Sequence, residues 1–221
     1  MTASSTQLLI DQLCERHPSL TTVRTAIATA CEQLVSCYEL GGKVLVCGNG
    51  GSCADSDHIV GELMKSFELK RPILAAVKDK LTAISPERGS YLAQHLQQGL
   101  PAISLTAHSA LITAVANDID GDIIFAQQVI GYGKKNDILI AISSSGNSQN
   151  VLDACVVAKA MNMKVIGLTG ETGGKMKEFC DILINVPGKR TFMVQELHLP
   201  VYHLLCLAVE HHFFGNPSEN Q

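Results

Sequence analysis

Four serines within six positions, Ser143, Ser144, Ser145 and Ser148, stand in the stretch DILIAISSSGNSQN, Asp137 to Asn150. An apolar run, Ile138 to Ile142, precedes them and a helical pattern, VLDACVVAKAM, follows. That order reads as buried strand, hydroxyl-rich loop and helix start. A helix start offers unpaired N–H groups and the positive end of a dipole. The serines add hydroxyl donors, and Gly146 lets backbone approach a ligand. Together these make an anion site suited to phosphate. Capping by Ser148 would account for one serine, not for four.

A second Gly/Ser loop, GNGGS from Gly48 to Ser52, follows the apolar run KVLVC, Lys43 to Cys47. Its spacing fails the dinucleotide fingerprint at Cys53 and it has no Gly-Lys-Ser/Thr, so no nucleotide cofactor is expected. A helical pattern then runs from Ser52 to Phe67, with His58 and Glu62 at i and i+4 on one face. Alone, such a pair is most often a weak surface contact. Its place just after a glycine loop favours chemistry. Far downstream, Gln195 and His203 lie eight apart on an apolar helical stretch, Phe192 to Phe214, about 80° around the axis. His198 lies between them and reads as a satisfied core residue.

These groups need a scaffold, and the intervening pattern supplies one. Strands alternate with helices: Ala102 to Leu105, Lys164 to Leu168 and Asp181 to Val186 join the two strands above. This predicts a parallel sheet covered on both faces, an α/β three-layer sandwich of flavodoxin-like kind. Two helices, Ser4 to Glu15 and one starting at Ser19, precede the first strand and read as an appended N-terminal helical hairpin (residues 1–41). The core is expected over 42–214, all in one domain spanning 1–221. Residues 68–101 read as an insertion: a short strand in RPILAAV, a turn at Pro86 to Gly89, then a helix to Gln98. Helices are also expected from Ser109 to Asn117-Asp118 and from Asp122 to Gly131. Pro200 predicts a kink or early break in the last helix.

The chain has 221 residues, 46% hydrophobic and 17% charged, with net charge −4. That composition affords a core and argues against disorder. No basic face or run is evident, which argues against nucleic-acid binding. Its eight cysteines are scattered, without C-x-x-C, and read as core residues of a reducing compartment. No secretory leader and no unbroken apolar run of about 18 residues is found, so a cytoplasmic protein without membrane contact is expected.

GNGGS, the S-x(5)-H-x(3)-E helix, the Asn-Asp pair at 117–118, the S-x-S-G-N-S loop and the Q-E-x-H-x(4)-H helix occur in this order. In this the chain resembles the sedoheptulose-7-phosphate (phosphoheptose) isomerases, a family of sugar isomerase (SIS) domain proteins. The resemblance spans Thr22 to Phe214. It implies that Asn49, Gly50, Gly51, Ser52, Asn117, Asp118, Ser143, Ser144, Ser145, Ser148, Glu62 and Gln195 contact a phosphorylated sugar. It implies Glu62 and His203 as the acid/base pair, and His58, Glu62, Gln195 and His203 as zinc ligands. It implies a homotetramer with active sites between subunits, serving lipopolysaccharide heptose biosynthesis. An aldose–ketose isomerisation needs a base near C–H and an acid near the carbonyl oxygen, which a carboxylate and an imidazole supply. The chain departs from the family in the long segment 68–101, in Pro200 and in GKRTFMV before Gln195. Two other readings stand beside the enzyme: a tetrameric factor binding the replication initiator, and a sugar-phosphate sensor. Neither needs Glu62 and His203.

Overall fold

The computed structural model describes residues 3–215. Helix α1 (Ala3–Arg16) leads through a 3₁₀ turn, Pro18–Val23, into α2 (Arg24–Glu39). Then come β1 (Val44–Gly48), α3 (Gly51–Met64), α4 (Ala75–Ile84), α5 (Pro86–His95), β2 (Ala102–Ser104) and α6 (Ser109–Asp118). The second half holds α7 (Ala126–Tyr132), β3 (Ile138–Ile142), α8 (Gln149–Ala160), β4 (Lys164–Thr169), β5 (Ile182–Asn185) and α9 (Thr191–Phe214).

All strands are parallel, in the order β2-β1-β3-β4-β5. The central ones are continuous apolar runs because both faces are covered. Alternation sorts their side chains. Val44, Val46, Ile138, Ile140 and Ile142 face a layer containing Ile27, Leu34 and Leu205. Leu45, Cys47, Leu139 and Ala141 face Val129, Val151 and Cys155 from α7 and α8. The chain order reverses between β1 and β3, and open α/β sheets bind ligands at such a point, beyond the strands' carboxyl ends. Gly48 pairs with Ile142. The glycine loop and the serine loop therefore leave the sheet side by side.

Several expectations need correction. The N-terminal helices are not an appendage: Ile10, Leu13, Ile27 and Leu34 share one core with Leu205 of α9. RPILAAV is not a strand. Pro72 makes a single antiparallel bridge with Gln97, and Ala75 already begins α4. Pro86 to Gly89 is no turn but the start of α5, with Pro86 in the first turn, where its missing N–H costs nothing. The expected helix from Asp122 divides into a 3₁₀ turn, Gly121–Ile123, and α7. Helix α9 is not broken at Pro200. The carbonyl left without its usual donor belongs to exposed Glu196, where water can satisfy it. Among the described residues α9 alone is long and apolar enough to cross a membrane. Here it is a core helix, burying Val201, Tyr202, Leu205 and Val209 together with the polar His198 and Glu210.

Candidate active site

The serine loop is shaped by Gly146, at φ +66. A Cβ there would lie 2.2 Å from the Gly173 carbonyl oxygen, so no side chain fits. Ser143 Oγ lies 3.0 Å from Ser148 Oγ and 3.5 Å from Ser145 Oγ. Ser148 occupies the N-cap of α8, yet its side chain makes no capping hydrogen bond. The capping reading fails there, and the hydroxyls form a cluster at a helix start. Asn147 braces the loop: its Nδ2 donates to the Ser145 carbonyl and its Oδ1 accepts from the Lys175 amide.

Asn49 of the glycine loop exchanges two amide hydrogen bonds with Asn150, at 2.8 and 3.0 Å. Asn150 was not among the sequence candidates, although its place one residue past the serine loop's Gln149 was a usable signal. Gly50, at φ +56, turns the chain into α3. Ser52 points inward: it is buried, and a Cβ on Gly48 would meet it at 2.7 Å. Its N–H is taken by the Asn49 carbonyl.

Helices α3 and α9 run alongside each other in the same direction. Gln195 covers Gly51 so closely that a Cβ there would lie 2.5 Å from its Nε2. One step on, the rings of His58 and His203 meet edge to face, centroids 5.0 Å apart. Glu62 Oε1 lies 3.3 Å from His58 Nε2. Glu62 and His203 thus both lie against His58. Lys65 Nζ donates to the other Glu62 oxygen at 3.0 Å.

Tyr202 and Asp55, which sequence reading missed, orient His58. The Tyr202 hydroxyl donates to Asp55 Oδ1 at 3.2 Å, and His58 Nδ1 lies 3.0 Å from the same hydroxyl oxygen. With the tyrosine proton engaged by Asp55, His58 Nδ1 faces the hydroxyl oxygen and Nε2 faces the Glu62 carboxylate. Burial raises Asp55 above the usual carboxylate range, against the pull of Tyr202 and His58. Burial, and then the neighbouring His58, lower His203 below the usual imidazole range despite Glu62. A neutral His203 can exchange a proton, and its Nε2 is buried without a hydrogen-bond partner. A cavity of about 640 Å³ opens beside His203, between Gln12 and Arg16 of α1 and Glu196 and Pro200 of α9. It reaches His203, while His58, Glu62 and the serine loop lie outside its lining.

Two imidazoles, a carboxylate and a carboxamide are donors of a kind zinc accepts, though Gln is the unusual one. Ligands about 2.0–2.1 Å from zinc stand about 3.3 Å apart on a tetrahedron's edge. The His58–Glu62 separation matches that edge at 3.3 Å. Among the described residues, however, no three His, Cys, Asp or Glu side chains form a group able to hold a metal ion by themselves. The donors fit zinc in kind and in the spacing of one pair, without a completed cage. Asn117 and Asp118 stand apart. Both are exposed at the end of α6 and bond to each other, with no hydrogen bond to either loop.

Comparison with known proteins shows the family to which this fold belongs. The family model described as SIS domain matches residues 16–98 and 84–170. A phosphoheptose isomerase from Burkholderia pseudomallei (strain 1710b) is 40% identical over 189 residues, covering 86% of this chain and 81% of that protein. The solved phosphoheptose isomerase GmhA from Neisseria gonorrhoeae superposes with TM-score 0.71 at 32% identity, covering 88% of this chain and 90% of that one. A solved phosphoheptose isomerase from Francisella tularensis gives TM-score 0.70 at 38% identity, with 85% and 86% covered. With its parallel sheet, its paired loops and this degree of likeness over most of its length, the chain belongs to the phosphoheptose isomerase family of SIS-domain proteins.

Proposed function

We propose that the chain interconverts sedoheptulose 7-phosphate and D-glycero-D-manno-heptose 7-phosphate. The observation that carries this reading is the register of α3 and α9, which sets Glu62 and His203 against one imidazole, His58. The serine loop and the N-terminus of α8 bind the phosphate, holding the far end of the sugar. The reaction takes a proton from C1 and returns one to C2 through a 1,2-enediol, while O1 loses a proton and O2 gains one. Glu62 moves the proton on carbon. His203, kept neutral by burial, exchanges the proton on oxygen.

The resident metal in this reading is zinc, held by His58, Glu62, Gln195 and His203. When bound it polarises the carbonyl oxygen. A carboxylate on zinc would be a weaker base, so Glu62 would alternate between the two tasks, and His203 would exchange its proton only when off the metal. Elemental analysis should find zinc in protein purified without chelator and less in His58→Ala; equal content in both would remove His58 from the ligand set. We also place the protein in the cytoplasm, since all eight cysteines are free. The initiator-binding and sensor readings leave the Glu62–His58–His203 cluster without a task.

The test is incubation with sedoheptulose 7-phosphate in heavy water. Wild type should incorporate deuterium at carbon. Glu62→Gln should incorporate none, yet bind the sugar phosphate within about tenfold, ~1.4 kcal/mol. Full activity in that variant removes Glu62 from the mechanism.

A further inference from the structure

Beyond the acid/base groups, one ion pair is sealed into the seam between α3 and α9. Arg71 and Glu210 have fully buried side chains, and Arg71 Nε donates to Glu210 Oε1 at 2.7 Å. The other arms of the guanidinium reach the end of α3: Nη1 donates to the Leu63 carbonyl at 2.7 Å and Nη2 to the Glu62 carbonyl at 3.0 Å. Those are terminal helix carbonyls, which lack partners within the helix. Glu210 in turn accepts from the amides of Phe67, Glu68 and Leu69, at 2.7 to 3.1 Å. It therefore grips the segment that leaves α3.

Glu210 lies seven residues past His203 on α9, two turns on and about 20° round, so both look along the same face. Glu62 is tied to Arg71 through its own backbone. The pair thus connects the residue that carries the carboxylate to the helix that carries the imidazole. A buried ion pair is a poor way to gain stability, because desolvation offsets most of the attraction. Its best-attested use is to fix one arrangement among several. Here that arrangement is the spacing of two proton-transfer groups.

We propose that Arg71 and Glu210 are positioning residues for the isomerisation, their buried pair holding the Glu62 carbonyl to α9 and so setting the Glu62 carboxylate against His203. This rests on the reading of Glu62 and His203 as the acid/base pair. Arg71→Lys keeps the charge and loses the fork that reaches three acceptors at once. In that variant kcat per binding-competent site falls at least about tenfold, while KM for sedoheptulose 7-phosphate stays within about threefold. In a Glu62→Asp background, where the carboxylate is already displaced, adding Arg71→Lys costs less than about threefold more. Arg71→Met/Glu210→Gln leaves no lone buried charge and gives the same loss of kcat. A pair that merely stabilised the fold would lower the melting temperature, leave kcat per competent site within about twofold and cost the same in both backgrounds. That result overturns the proposal. The two failures are distinguishable. A fully active Glu62→Gln defeats the acid/base reading, whereas an inactive Glu62→Gln beside an unimpaired Arg71→Lys defeats only the positioning.

Discussion

The imidazoles divide the work by what surrounds them. His58 keeps one nitrogen on Tyr202 and turns the other to Glu62. His203 leaves Nε2 unpartnered beside the cavity. His198 does neither: buried on α9, it lies 3.2 Å from the Thr169 carbonyl, and burial pushes its pKa down to about 4 despite that bond. Between pH 6.5 and about 4 the unfolded chain binds a proton at this position that the folded chain refuses. Stability is therefore complete above that window and lost as pH falls through it, by up to about 3 kcal/mol. Urea unfolding from pH 7 to 4 should show this slope in wild type and a shallower one in His198→Gln; identical slopes would exclude His198 as its source. At the phosphate end, Ser145→Ala removes one hydroxyl from the cluster. A hydrogen bond to a charged group contributes about 1.5–3 kcal/mol, and since Ser145 is exposed the lower value applies, about tenfold in Kd. Calorimetry with a sugar phosphate measures it, and unchanged affinity would take Ser145 out of the cradle.

Among the elements, α3 and α9 matter most because their shared direction converts two distant sequence motifs into one surface. The glycine at 146 does the same for the loop before α8. Gly146→Ala should cost about 2 kcal/mol or more, from a strained φ and from the Gly173 carbonyl in the way. A thermal melt within a degree of wild type would show that the loop can shift instead. The hairpin of α4 and α5 behaves differently. α4 buries none of its residues, and Leu74 and Ile84 remain largely exposed. Its two ends are tied together at the base by the Pro72–Gln97 bridge and by the Gln98 amide on the Arg71 carbonyl. Replacing residues 73–96 by a short glycine-rich turn should leave the sheet folded, with little loss in the melting temperature measured by circular dichroism. Collapse of the far-ultraviolet signal would show that the hairpin is part of the core. Sequence reading failed in this hairpin for a physical reason. The apolar run RPILAAV straddles the start of α4 at Ala75, and periodicity cannot tell a strand from a helix in so short a run.

For the molecule as a whole, a single chain leaves features exposed that a homotetramer with shared sites would cover. Phe192, Met193 and Leu199 of α9 are exposed, and Asn117 and Asp118 stand clear of both loops. We propose that assembly, and light scattering should give four times the chain mass; a monomer at micromolar concentration would reject it. The sequence by itself determined the sheet strands, the glycine and serine loops and the family, because buried parallel strands and Gly/Ser turns are written in contiguous residues. It also named His58, Glu62, Gln195 and His203, through a resemblance in motif order. Only the tertiary structure decided that α9 runs alongside α3 in register and that the N-terminal helices belong to the core. It alone brought Tyr202 and Asp55 to His58, and Arg71 and Glu210 to the end of α3. Those contacts join residues more than a hundred positions apart. No local pattern encodes such a pairing, since it arises only when separate helices bury their faces on the same side of one sheet.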